Sequence, residues 1–484
     1  MAYRHGVYGS EVPTSIVPPA RISAGLPVVF GTAPLHLAKS AAPANKPVLC
    51  YTYAEAVAQL GYHSDWGSYT LCEFMKSHFA LFNVAPVVFV NVLDPATHKT
   101  EVPSQALTLT NSVGKITGAA VLLETLKVKL TSGSSSDLVK NSDYTAAFDD
   151  YGDLIVTRLS TGTIPAEQAS LSVSFTKLNP QAVTSAEIIG GVDVETGNYK
   201  GLELVNRVFP LFRLVLGQIL APGWSHNSAV AAVMTAKAGN INGHFKCIVL
   251  TDVPTDTVKQ YSAVAAWKEQ SNYTNSRQVV CWPLGKLGSE TFRLSTQAAG
   301  VICRTDAGYE DVPYVSPSNK SLQVDSAVLA DGTEVSLGPE QAAYLNGQGI
   351  VTALNFVGGW KLWGNRTGCY PGNTDPKDAF IPIRRMLDWI NNTLILTFWQ
   401  KVDDPTNRRL IETVLDSANI WLQGLVARGW IVGGRVAFLE EENPTTDLMD
   451  GIVRWHVYVA PPGPGRELDF IVEYDPSYLK TLFE

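Results

Sequence analysis

Val87, Val88, Phe89, Val90 and Val92 form an apolar run interrupted only by Asn91. A strand with one wet face alternates apolar and polar residues. A run without alternation predicts a strand covered on both faces. Helices provide that cover, and helices placed between strands make the strands parallel. The neighbouring sequence follows the same logic. Residues 26–31 read as a strand, and 53–60 and 71–82 as helices. The pattern resumes after residue 200, with strands over 216–221, 247–251 and 278–283 and helices over 227–238, 255–273 and 293–304. The expected core is a mainly parallel, three-layer α/β sheet, discontinuous in sequence over 23–100 and 196–339.

Residues 101–195 break the pattern. Short strand candidates at 107–110, 126–130, 154–159 and 169–175 are separated by Gly, Ser, Asn and Asp, as in the 132–136 stretch. This reads as an all-β insertion, and insertions sit on exposed loops.

The last region, 340–484, reads as an α+β domain. Asp375-Pro376 has the form of a helix start, and Phe380, Ile383, Leu387, Ile390, Leu394 and Phe398 follow as one stripe. Asp404-Pro405 starts a second helix, whose buried face carries Leu410, Val414, Trp421 and Leu425 and which Gly429 ends. A short turn between them predicts two antiparallel helices. Two alternating strands come next, one carrying Val453, Trp455, Val457 and Val459, the other Leu468, Phe470, Val472 and Tyr474. The linker Pro461-Pro462-Gly463-Pro464-Gly465 between them is too stiff and too long for a tight hairpin. At the other end, residues 1–22 form an arm in which Gly6-Val7-Tyr8 reads as extended and Pro13, Pro18 and Pro19 bar a helix. This arm is either a loose terminus or a strand that pairs with another sheet.

Composition excludes several classes. A chain of 484 residues makes two to four domains, and 45% hydrophobic against 17% charged residues indicates packed globular domains. The net charge of -8 and the lack of a Lys/Arg run argue against a nucleic-acid surface. No apolar window reaches membrane-spanning length, so membrane insertion is not expected. The opening residues lack a signal-peptide core, which implies a chain kept in the cytoplasm or leaving it by another route. The six cysteines are scattered without metal-site spacing and read as buried free thiols. Neither a G-x-S-x-G elbow, an H-E-x-x-H pair nor a Gly-Lys-Ser/Thr phosphate loop occurs. His226 and His244 read as loop histidines, and Gly347-Gln348-Gly349 as a turn after a helix. No catalytic residue, cofactor site or metal site is expected.

Several ordered motifs carry a resemblance. They are Leu345-Asn346-Gly347-Gln348-Gly349-Ile350-Val351, Gly359-Trp360-Lys361-Leu362-Trp363-Gly364-Asn365-Arg366-Thr367, Arg384-Arg385, and Asp404-Pro405-Thr406-Asn407. Arg304-Thr305-Asp306 with Ser316-Pro317-Ser318-Asn319, and Gly6-Val7-Tyr8 with Glu11-Val12-Pro13, support them. In these the chain resembles the tail sheath family of contractile phages and related particles. The stretch 362–367 is the specific signal, and 101–195 carries no recognisable motif.

The resemblance implies an α/β core similar in topology to subtilisin but without protease activity. It also implies a homo-oligomer of stacked hexameric rings around a tail tube, meeting baseplate and tail terminator proteins. Such a sheath, assembled in the host cytoplasm as part of a virion or tail-like particle, contracts to drive the tube through the host envelope. It implies further that N- and C-terminal strands complete the sheets of neighbours, here Gly6, Val7 and Tyr8, and Leu468, Phe470, Val472 and Tyr474 on the arm 465–484. Arg384, Arg385, Arg408 and Arg409 are candidates for polar contacts to tube or neighbour, or else solvated helix faces. The competing reading is an α/β hydrolase or peptidase with an accessory β domain.

Overall fold

The computed structural model describes residues 24–131 and 136–483. Its centre is a nine-stranded sheet in the order Lys320–Ser321, Trp360–Trp363, Ile350–Asn355, Gln278–Cys281, Ile248–Asp252, Gln218–Leu220, Pro27–Gly31, Val87–Asn91, Pro47–Cys50. The strands from Ile350–Asn355 through Val87–Asn91 are parallel. Antiparallel strands finish both ends.

Both faces of the sheet are covered. Val28, Phe30, Val88 and Val90 enter one core with Ile188, Val205, Val208, Val230 and Met234. Val29, Val87 and Phe89 enter the other with Ala56, Leu60, Phe74, Met75, Ala298 and Ile302. This is the three-layer arrangement that the apolar run requires. Asn91, the polar exception, is buried and hydrogen-bonded through both its amide oxygen and its amide nitrogen. Its side chain accepts from Ala33 and Leu93 N–H and donates to Leu93 C=O, which fixes the chain as it leaves the sheet.

Helix Tyr53–Leu60 has the expected limits, with Thr52 capping Glu55 N–H. The 71–82 helix forms as Thr70–Met75 continued by a π-helical turn, Lys76–Leu81. The 255–273 helix is shorter, Tyr261–Gln270, because the chain first turns from Pro254 C=O to Val258 N–H.

The insertion consists of two three-stranded sheets. One joins Lys99–Thr108, Ser170–Leu178 and Lys127–Leu130, and the other Val113–Ile116, Leu154–Arg158 and Tyr144–Phe148. Val128, Leu154, Val156, Leu171 and Val173 fill a core of its own. Its strands end at Leu178, short of the expected 195, because Val183 and Ile188 already belong to the central core.

The C-terminal region also needs correction. The segment after 340 does not begin a separate unit, since Ile350–Asn355 and Trp360–Trp363 pair within the large sheet. The expected first helix is two: Pro376–Ala379, capped by Asp375 as expected, and Ile381–Phe398. Phe380 between them is extended, with φ -104° and ψ 126°. Pro382 explains the break, having no N–H to give and a ring that crowds the preceding turn. The second helix is Arg408–Ala427, capped by Asn407 rather than Asp404. Gly429, at φ +72°, then turns the chain out of it. Met386, Trp389, Ile390, Ala418, Leu422 and Leu425 anchor both helices to the central core.

Candidate functional site

An α/β sheet binds ligands outside the carboxyl ends of its parallel strands. Asp252 ends one of these strands here and is buried. Its carboxylate accepts Ser295 N–H at 2.9 Å, Ser295 Oγ at 2.6 Å and Ser225 Oγ at 3.1 Å. Asp252 therefore caps the helix Leu294–Ala307. Both serine hydroxyls give their protons to a carboxylate, and no histidine bonds either of them among the described residues. Neither serine is activated as a nucleophile by a base among the described residues. Burial pushes the Cys50 and Cys72 thiols up to about 12, away from the reactive thiolate. Among the described residues no His, Cys, Asp and Glu cluster is arranged to hold a metal.

The unusual feature lies in the two-stranded antiparallel sheet of Gly433–Ala437 and His456–Ala460. Asn419, on the helix beneath, accepts Val436 N–H at 2.8 Å and donates to Val436 C=O at 3.0 Å. Gln423 donates to Gly434 C=O at 3.0 Å. A strand residue sends its N–H and C=O to the same side. Gly434 and Val436 thus face away from the partner strand, and helix side chains occupy that edge. Val457 and Val459 lie opposite Val436 and Gly434. By the same rule they point out of the other edge, where their backbone groups have no partner among the described residues. One edge of this sheet is closed and the other is open.

Side chains distinguish the two faces at the open edge. Trp455, Val457 and Val459 pack on the central core. On the opposite face the His456 and Tyr458 rings lie 4.1 Å apart, and Arg435 sits 4.2 Å over Tyr458. His456 Nδ1 lies 2.6 Å from a Glu442 carboxylate oxygen.

The chain leaving this strand does not fold back on it. Residues 461–475 carry no regular structure, and Pro476–Phe483 is a 3-10 turn. The expected strand at 467–474 is unpaired in this chain. Leu468 is 77% exposed, Phe470 89%, Val472 92% and Tyr474 77%, far above what a folded chain leaves in water without cause. Gly6, Val7 and Tyr8 of the arm lie outside the described residues.

Residues from three of the motifs, Ser316 to Asn319, Asn346-Gly347 and Trp363 to Arg366, line one cleft of about 770 Å³ at the end of the large sheet. Gly364, at φ +131°, donates its N–H to Ser318 Oγ at 3.0 Å. A Cβ at Gly364 would meet the Asn346 amide at 2.5 Å, so only glycine fits. With its amide oriented to satisfy its neighbours, Asn346 donates to Trp363 C=O at 3.0 Å and accepts Trp363 Nε1–H at 3.2 Å. The Arg366 guanidinium is held between the rings of Tyr370, at 4.2 Å, and Phe380, at 3.7 Å. Residues Pro462 to Arg466 pass along this cleft.

The four arginines separate. Arg385 is buried and forms an ion pair with Asp306, also donating to Ala24 C=O. This corrects its expected role, since a side chain enclosed in the core reaches neither tube nor neighbour. Arg384 pairs internally with Asp388 at 2.8 Å and Asp378 at 3.3 Å. Arg408 and Arg409 are exposed, and Arg408 pairs with Glu412 at 2.6 Å. Asn419 and Gln423, which close one edge of the small sheet, were not among the expected site residues.

No family model matches this chain. It is 28% identical over 494 residues to the tail sheath protein of Burkholderia phage BcepMu, covering 99% of this chain and 98% of that one. It is 25% identical over 347 residues to the tail sheath protein of Escherichia phage P2, covering 68% and 78%. Its fold is similar to the sheath of the extracellular contractile injection system PVC in the contracted state, with TM-score 0.57, 13% identity and 99% of both chains covered. The contracted helical sheath of the anti-feeding prophage gives 0.55 at 13% identity, covering 98% of this chain and 100% of that one. The sheath tail protein of Desulfitobacterium hafniense gives 0.51 at 12%, covering 90% and 93%.

Proposed function

We infer that this chain, a relative of the tail sheath proteins, is the repeating subunit of a contractile sheath in a phage tail or tail-like particle, joined to its neighbours by exchanged strands. The observation that carries the exchange is the pairing of two incomplete parts. The His456–Ala460 strand offers an open edge, and residues 467–474 offer an exposed segment, alternating except at Ile471, that carries no regular structure and pairs with no strand of its own chain. Main-chain hydrogen bonds give an added strand its affinity, and alternate side chains set its register. Leu468, Phe470, Val472 and Tyr474 would extend the apolar face that Val457 and Val459 begin.

Donor and acceptor are different surfaces of one chain, so the contact is head to tail. Where the exchange is not reciprocal, such contacts propagate into rings and helical tubes and do not close as dimers. In our reading the N-terminal arm with Gly6, Val7 and Tyr8 adds a second strand, the rings are hexameric and stack around a tail tube, and baseplate and terminator proteins meet the ends. Contraction is a change between two packings of the same subunit, which exchanged strands permit without separation. The subtilisin-like description of the core, host-cytoplasmic assembly, and roles for Arg384, Arg408 and Arg409 at tube or neighbour belong to the same reading and rest on the resemblance. The hydrolase reading finds no support in the Asp252 cluster, which is a helix cap.

The test is removal of residues 1–12 or of 467–484. Each deletion is expected to leave a folded subunit that forms no sheath tubes under the electron microscope. Normal tubes from either deletion contradict exchange by that arm.

A further inference from the structure

We propose that the cleft beneath Pro462 to Arg466 holds each tail away from its own sheet, so that the open edge remains vacant for a neighbour. This rests on the strand-exchange reading. Residues 461–466 alone separate the open strand from the tail segment. A connection only slightly longer than common hairpin loops would let 467–474 turn back onto Val457 and Val459. A short flexible tether gives an effective concentration in the millimolar range, so for subunits at micromolar concentration self-pairing would be favoured roughly a thousandfold. A chain with this sequence would cap itself unless something prevented the turn.

Two features prevent it. Pro461, Pro462 and Pro464 fix φ and keep the residues before them extended, and all three are half-buried while Gly463 and Gly465 face solvent. The prolines are therefore seated, not merely stiff. Beneath them the floor is rigid: Gly364 locked to Ser318, Asn346 locked to Trp363, and Arg366 clamped between two rings. Segments distant from the linker in sequence meet it here, and their bonds to one another shape the surface it follows. Trp363, Gly364 and Arg366 are thus positioning residues for the tail. A tail already directed outward also loses less freedom on binding a neighbour.

The test uses two full-length variants that act from opposite sides. One replaces Pro461, Pro462 and Pro464 with Gly. The other is Gly347→Trp, which fills the cleft from a position where a side chain meets open space. Amide exchange at Val457 and Val459 is measured in isolated subunits, together with the threshold concentration for tube formation. Wild-type subunits are expected to exchange freely at both amides. Both variants are expected to show protection that does not depend on concentration, and a threshold raised by roughly tenfold or more. If either readout stays at the wild-type value in both variants, or if isolated wild-type subunits are already protected, the proposal is overturned. If wild-type tubes leave Val457 and Val459 unprotected, the strand-exchange reading fails, and the proposal with it.

Discussion

The Asn419 side chain bonds both backbone groups of Val436, taking the place that a neighbouring strand would occupy. Sheet edges invite further strands, and closing one edge leaves a single direction of growth. Asn419→Leu leaves two buried polar groups without partners. It is expected to destabilise the subunit by about 2 kcal/mol, read as a lower urea midpoint.

Arg385 and Asp306 tie the helix Ile381–Phe398 to the helix Leu294–Ala307. Arg385→Met strands a buried carboxylate and is expected to lose about 3–5 kcal/mol, with partial recovery on adding Asp306→Leu. Burial already pushes the Asp306 carboxyl up and Arg385 opposes that push. Without the guanidinium the folded state holds the proton more tightly than the unfolded one, so the loss should be largest at neutral pH and shrink as pH falls. Denaturant midpoints across pH check both statements.

His78 is buried, and neither ring nitrogen has a partner among the described residues. Burial lowers its pKa to about 3. The unfolded chain takes up a proton near the ordinary value of 6.5 while the folded chain does not, so stability falls as pH drops from about 6.5 towards 3. His78→Leu is expected to remove about 1.4 kcal/mol per pH unit of that slope. Unfolding free energies at intervals of one pH unit measure the difference, and parallel slopes for the two proteins would rule out this contribution.

Phe470 is nearly fully exposed, so Phe470→Asp should leave the melting temperature of the isolated subunit within about 1 °C of wild type. In our account the same change places a charge on the apolar face of the added strand. Tube formation should then need a severalfold higher subunit concentration, measured by sedimentation.

The parts of the fold legible in sequence are those where local pattern and final environment coincide. The Val87–Asn91 strand is buried along its whole length, so its apolar run says what it is. The insertion was visible as a change of texture, but Val113–Ile116 and Tyr144–Phe148 were not, being short and, in the second case, lacking β-branched residues other than Thr145. The stripe begins at Phe380, the extended residue itself, so its spacing carries no sign of the break that separates Pro376–Ala379 from Ile381–Phe398. Alternation at 467–474 predicts a strand, whereas the segment carries no regular structure within its own chain. Arg385 gave no sign of Asp306, 79 residues away, nor Asn419 of Val436, because pairing across folded elements leaves no spacing to read.

The most direct measurement of the central claim is an electron cryomicroscopy map of assembled tubes at a resolution that separates strands. The account expects a strand from another subunit hydrogen-bonded to Val457 and Val459, with the Gly433–Ala437 edge still held by Asn419 and Gln423. An open edge facing solvent, or occupied by the tail of its own chain, would contradict it.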